Sequence, residues 1–258
     1  MRRDLDDVIQ GWPFDPEPGE VLAREVRARD GRTVLQVRIE LGLLQLEVTG
    51  RPDGLRPHGF NTYLDYLRHC AAVRGSSGAK TRPASWTMSP AQSNEADREF
   101  IQFNHRRVAW LTLRRYDRAI QDADHTLDLI DFIHQHGHEE AFIASHEQLR
   151  GPVLFHRAQA VTILALERRR YEEAIDALRE GIDRIDAHQL AWWEDRGIDG
   201  SPNPALADQL RHFEQEIRSN YHVEKTLREQ LDEAVAREDY EQAARLRDRI
   251  KTQGRASR

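Results

Sequence analysis

The densest run of potential metal ligands in this 258-residue chain is His134-Gln135-His136-Gly137-His138, with His146 eight residues on. Alternate imidazoles beside a glycine suit zinc, copper or nickel. Glu139 and Glu140 are the nearby carboxylates, and no cysteine joins them. His134, His136 and His138 are therefore the candidate metal ligands. The competing reading is a solvated, histidine-rich corner between two helices, with no metal and no cofactor. His105 and His156 read as packing residues, placed at matching positions of two similar helices. Cys70, the one cysteine, sits in a mostly apolar stretch and reads as a buried small hydrophobe.

Other catalytic chemistry is hard to place. Acidic pairs such as Asp6-Asp7, Asp122 with Asp124, Glu139-Glu140 and Glu172-Glu173 are expected by chance among 44 acidic residues. None has a sequence neighbour suited to general acid–base work. There is no Gly-x-Ser-x-Gly elbow and no glycine-rich nucleotide loop. The expectation is a protein that is not an enzyme and has no catalytic residues. The rival is an enzyme or metalloprotein using the histidine corner and a polar sheet face.

The whole chain narrows the class. It carries 38 basic and 44 acidic residues, a net charge of −6, and its mean hydropathy is −0.75. That balance disfavours bulk polyanion binding, which needs a basic surface. No run approaches the ~20 apolar residues of a membrane span. No apolar segment follows Met1-Arg2-Arg3, so no signal peptide is expected. A lone cysteine makes no intrachain disulfide and fits a reducing, cytoplasmic compartment.

Residues 1–74 read as a small β-rich domain with a helix. Val21–Val26, Val34–Leu41 and Leu44–Val48 approach strand alternation, with Asp30-Gly31 as a hairpin turn. Gln36, Arg38 and Glu40 share one strand face, and Gln45 and Glu47 another. This polar side suits either solvent or recognition. Tyr63 to Cys70 forms a helix after Asn61 or Thr62. Residues 75–94 are rich in Gly, Ser, Pro and Ala and read as a flexible linker. The alternative is a docked peptide anchored by Trp86.

Residues 95–222 carry helical periodicity. Leu113-Arg114-Arg115-Tyr116-x-x-Ala119-Ile120 and Arg168-Arg169-Arg170-Tyr171-x-x-Ala174-Ile175 are alike at a spacing of 55 residues. Each follows an apolar helix. The pattern resembles a tetratricopeptide helix pair, although the period departs from 34 residues. The resemblance implies a helical protein-binding surface; an ordinary helical bundle fits the same periodicity. The loop from Asp195 to Pro204 follows Trp192-Trp193, a candidate anchor if one indole is exposed.

Residues 223–252 read Leu227-x-x-x-Leu231-x-x-Ala234-Val235-x-x-Glu238-Asp239-Tyr240-Glu241-x-Ala243-Ala244-x-Leu246-Arg247-Asp248-x-Ile250. This resembles the UVR motif, a helical hairpin of the UvrB and UvrC subunits of the bacterial excision nuclease. Related motifs occur in Clp-type unfoldases and in the arginine-kinase activator McsA. The resemblance implies protein–protein contact, with a UvrB/UvrC-like, Clp-type or arginine-kinase component as partner, or a second copy of the chain. The implied partner-binding residues are Leu227, Leu231, Val235, Tyr240, Ala243, Ala244, Leu246, Arg247 and Ile250. About thirty residues cannot build a core alone, so the stripe is expected to bury itself on a partner, a second copy or the preceding helices. Tyr240, Ala243, Ala244 and Ile250 are expected on the inner face, with Asp239 as N-cap. The basic tail, Arg245 to Arg258, suits a solvated face; direct DNA contact as a repair accessory is the other reading.

The expected architecture is α+β and mostly α: a small antiparallel sheet, a tetratricopeptide-like bundle and a C-terminal helical hairpin. The expected function is an adaptor that docks other proteins.

Overall fold

The computed structural model describes residues 6–15, 17, 20–75, 86–196 and 205–256. They form two compact units, one ending at Arg157 and one starting at Ala158. This division coincides with none of the boundaries expected at 74, 95 and 222. The fold is mostly α, with a three-stranded sheet near the N-terminus and a helical pair at the C-terminus. No helix among the described residues is long and apolar enough to cross a membrane.

In the first unit, α1 (Asp6–Gln10) precedes an antiparallel sheet of β1 (Leu22–Arg27), β2 (Thr33–Ile39) and β3 (Gly42–Glu47), ordered β1-β2-β3. Leu35 faces Leu46 and Val37 faces Leu44 across the strands, so period-two alternation puts these side chains on one side. Ile39 pairs with Gly42, which leaves Glu40-Leu41 as a two-residue turn. Leu41 therefore stands 88% exposed instead of continuing the strand. The polar side is not simply solvated. Arg24 donates to Gln36 and Gln36 to Gln45, at 3.0 and 3.1 Å, in a ladder across all three strands. Arg38 is buried and donates to the carbonyls of Trp12 and Gly42 at 2.8 and 2.7 Å. The Trp12 ring lies 4.1 Å from the Arg24 guanidinium.

Helix α2 (Tyr63–Gly75) starts where Thr62 accepts the Asp65 N–H. The fully buried Glu99 carboxylate adds to this cap, accepting the N–H groups of Tyr63 and Leu64 at 2.5 and 3.0 Å. Cys70, expected to be buried, is only half-buried. Helix α3 (Pro90–Thr112) begins inside the stretch expected to be a linker. Ser89 caps it reciprocally with Gln92, and Pro90 supplies a preset first turn. Residues 76–85 lie outside the described set, but the linker reading fails for 86–94. Met88 is fully buried and its N–H donates to the His136 carbonyl at 2.7 Å. Trp86 packs against Phe132 and His136, as the docked-peptide alternative anticipated. Composition concealed this because two large side chains, with a cap, outweigh the small residues around them.

Helix α4 (Tyr116–His136) pairs with α3, and α5 (Glu140–Glu147) and α6 (Arg150–Glu167) follow. Leu64 and Leu67 of α2, Met88, Phe100 of α3, and Leu129, Ile130 and Ile133 of α4 form one core, with Phe142 and Ile143 of α5 packed against it. Arg106 ties the sheet to this pair. It holds Asp122 bidentately at 2.9 and 2.7 Å and donates to the carbonyls of Glu47 and Gly50 at 2.8 Å each. Gly151 and Pro152 lie in the first turn of α6.

The second unit takes the rest of α6 with α7 (Tyr171–Arg196), α8 (Ala205–Tyr221), α9 (Leu227–Ala236) and α10 (Tyr240–Ala256). Asp195 and Arg196, expected in a loop, belong to α7; residues 197–204 and the side chains of Trp192 and Trp193 lie outside the described set. Ile175, Leu178, Ile182, Ile185, Leu210 and Ile217 supply its buried apolar positions. Gly181 lets α6 and α7 approach: a Cβ there would meet the Ala158 Cβ at 2.5 Å.

Candidate functional site

Three helix pairs in this chain are joined by one kind of turn. After α3, α6 and α9 the chain passes through a left-handed residue, Arg114 (φ 56°), Arg169 (φ 58°) and Glu238 (φ 59°). The next residue's N–H reaches back five positions, from Arg115 to Trp110, Arg170 to Ala165 and Asp239 to Ala234, at 2.9 Å each. The left-handed residue's own N–H bonds to Leu111, Leu166 and Val235 respectively. This is the Schellman arrangement, here without the usual glycine. Each turn is followed by Tyr-x-x-Ala, at Tyr116, Tyr171 and Tyr240. Ala119, Ala174 and Ala243 are buried, which brings the paired helices close. Both motifs were visible in the sequence, and their identity was the signal that reading them separately missed.

The pairs differ in what covers the turn. Tyr116 is 9% exposed. The Tyr171 ring stacks on Tyr221 at 4.1 Å between centroids. Tyr240 is 69% exposed and Val235 52%. The interior of the last hairpin is its own: Leu227, Ala234, Ala243 and Leu246 are buried together, with Leu231 and Ile250 packed on them. Of the nine expected partner-binding residues, Leu227, Ala243 and Leu246 therefore face inward within the hairpin. Leu231, Ala244 and Ile250 are partly buried, and only Val235, Tyr240 and Arg247 are exposed. The expectation that Tyr240 lies on the inner face is corrected. It opens α10 as Tyr116 opens α4, but no packed neighbour buries it and it stays 69% exposed.

The base of the hairpin is clamped by polar contacts that sequence reasoning did not find. Thr226, fully buried, and Glu229 form a reciprocal cap on α9, with the Glu229 N–H donating to Thr226 Oγ1 at 3.3 Å and the Thr226 N–H to Glu229 at 2.7 Å. The Thr226 hydroxyl donates to Asp176 of α7 at 2.8 Å. Arg218 of α8 and Arg179 of α7 reach Glu229 at 2.8 and 2.9 Å. Burial pushes the Glu229 carboxyl up, but the Thr226 N–H and Arg218 outweigh it and hold the carboxyl below its ordinary range. Burial raises the Asp176 carboxyl, partly opposed by Thr226. Thr-x-x-Glu at 226–229 was the available signal. Asp239 caps α10 as expected, accepting the Gln242 N–H at 3.0 Å.

The histidine run does not converge. His134 contacts Glu147 at 3.1 Å, His136 contacts the Trp86 carbonyl at 3.0 Å, and His146 contacts the Phe142 carbonyl at 2.9 Å. His138 lines a separate groove beside Tyr66 and Trp86. Among the described residues no three His, Cys, Asp or Glu side chains are grouped to hold a metal ion. Helix α4 ends at His136, so the three alternate residues fan out around a helix end. His105 is exposed, whereas His156 is half-buried. The 55-residue spacing aligns His156 with Ile101, not His105. Burial and the nearby Arg107 guanidinium push the His156 imidazole down to about 4.

On α10, Arg245 pairs with Glu241 and Arg247 lies 3.9 Å from Asp248, all four side chains well exposed. Comparison with curated proteins and with solved structures finds no match. Residues 225–252 match the family described as the UvrB/uvrC motif. The C-terminal hairpin, clamped at its base and bare at its turn, is a UVR motif.

Proposed function

We propose that this chain is a non-enzymatic adaptor whose UVR hairpin docks a partner protein through its turn end. The supporting observation is the uneven burial of the hairpin. Its interior is satisfied and its base is fastened to α7 and α8, while Tyr240 and Val235 remain uncovered at the far end. A hairpin serving only as a cap would bury its largest side chain. Partners of the class that the motif implies are UvrB/UvrC-like, Clp-type or arginine-kinase components, or a second copy of the chain. The helical pairs upstream offer a second protein-binding surface.

The test is direct binding of the purified chain to purified proteins of those three classes by biolayer interferometry. Binding to at least one, lost in Tyr240→Ser/Val235→Ser with the helical circular dichroism spectrum kept, is the expected result. Binding that survives the double substitution overturns the assignment of the turn end as the docking site.

A further inference from the structure

The α6–α7 and α9–α10 turns have the same backbone and opposite charge. Where the first displays Arg168, Arg169 and Arg170, the second displays Arg237, Glu238 and Asp239, with Glu241 after the tyrosine. Arg169 and Glu238 occupy the same left-handed position and both are exposed. In the corresponding turn after α3, Arg114 holds the left-handed position and Arg115, the equivalent of Arg170, pairs with Glu25 through two bonds of 2.9 and 3.0 Å. The α6–α7 turn also borders a groove of about 930 Å³, whose lining includes Arg169, Tyr171, His222, Val223, Lys225 and Gln230. Three carboxylates, Glu172, Glu173 and Glu224, line it as well, with Arg170 3.4 Å from Glu173, so the basic side of the groove is its Arg169 rim.

We infer that the occupant of the α9–α10 turn is a second copy of this chain, docking Glu238 and Tyr240 against the Arg168–Arg169 rim and groove of its partner. This rests on the docking role proposed for the hairpin and names the partner. Charge opposition at equivalent positions sets the pairing: acid meets arginine, and Tyr240 enters a groove lined by Tyr171 and Val223. Donor turn and acceptor groove lie at opposite ends of α9, about 15 Å apart for ten residues of helix. In a two-fold pair each copy gives one turn and receives one, so the contact closes at two chains. Exposed ion pairs are weak and screened by salt, so the pair is a reversible one.

Sedimentation velocity on the full chain, over the micromolar range at low and high salt, tests this. The expected result is a monomer–dimer equilibrium that weakens with salt. Glu238→Arg and Arg169→Glu should each weaken it by roughly tenfold or more, since an attraction becomes a repulsion. Mixing the two variants should restore a mixed dimer, because each then offers what the other lacks. Both positions are exposed and outside the hairpin interior, and circular dichroism checks that each variant folds. A monomer at every concentration, a dimer indifferent to the charge swaps, or a mixture no better than its parts overturns the inference. A monomer that still binds a foreign partner through Tyr240 removes self-pairing alone and leaves the docking role standing.

Discussion

The α3–α4 and α9–α10 pairs are built on the same turn and set in opposite surroundings. In the first, Tyr116 is covered and a bidentate Arg106–Asp122 pair is buried beside the sheet. In the second, Tyr240 is bare, the position equivalent to Asp122 is the apolar Leu246, and the ion pair Arg245–Glu241 lies within α10 with both side chains exposed. Local structure is the same to within a few degrees at the left-handed residue. The difference is in the surroundings. A turn inside a packed unit uses its apolar residues for stability, and the same turn at the end of a hairpin leaves them exposed.

The largest expected effect is on the buried side of this contrast. Asp122→Ala leaves Arg106 charged and unpaired, and should lower the stability of the first unit by about 3–5 kcal/mol. Urea titration followed by α4 signals measures it; a loss under about 1 kcal/mol would show the pair to be no stronger than a surface one. Leu246→Ala should cost about 2–4 kcal/mol within the hairpin. Native-state hydrogen exchange should then quicken across α9 and α10 and stay unchanged in α7.

Proton linkage separates the regions next. His156 has a folded value of about 4 against about 6.5 unfolded. Between those limits the unfolded chain binds a proton that the folded chain refuses. Stability from this residue is therefore complete above pH 6.5 and falls as pH drops toward 4. His156→Gln should flatten the pH dependence of the urea midpoint in that window; an unchanged slope would remove His156 as its source.

Smaller effects come from the turns. Arg114→Gly and Glu238→Gly relieve a left-handed non-glycine residue and should each stabilise by on the order of 0.5–1 kcal/mol. Equal gains in thermal melts would support the shared turn; a loss at either site would contradict it. Tyr240→Ser should change folding by less than about 0.5 kcal/mol, as exposed positions do, while abolishing partner binding. A large drop in stability would instead make Tyr240 a structural residue.

Much of this was legible along the chain. Period-two alternation gave the sheet, and Tyr-x-x-Ala after an apolar helix marked each helix pair. Leu227-x-x-x-Leu231 and Ala243-Ala244 marked the hairpin, whose interior they do form. Trp86 and Met88 were misjudged, because the small residues around them hid a segment held by the end of α4. Arg38 looked like a surface residue until its guanidinium met the Trp12 carbonyl, 26 positions earlier. The histidine run looked like a ligand set until the end of α4 spread its members.

The sequence by itself determined which segments turn, pair and carry a UVR motif, because those depend on neighbours within a few residues. Caps, apolar spacing and the small alanine are read by the local backbone. Only the tertiary structure decided which of three identical turns is covered. Burial depends on residues distant in sequence: Tyr221 reaches Tyr171, whereas nothing in the described chain covers Tyr240. It also decided that the hairpin is fastened at one end, since Asp176, Arg179 and Arg218 meet Thr226 and Glu229 only once α7 and α8 have packed.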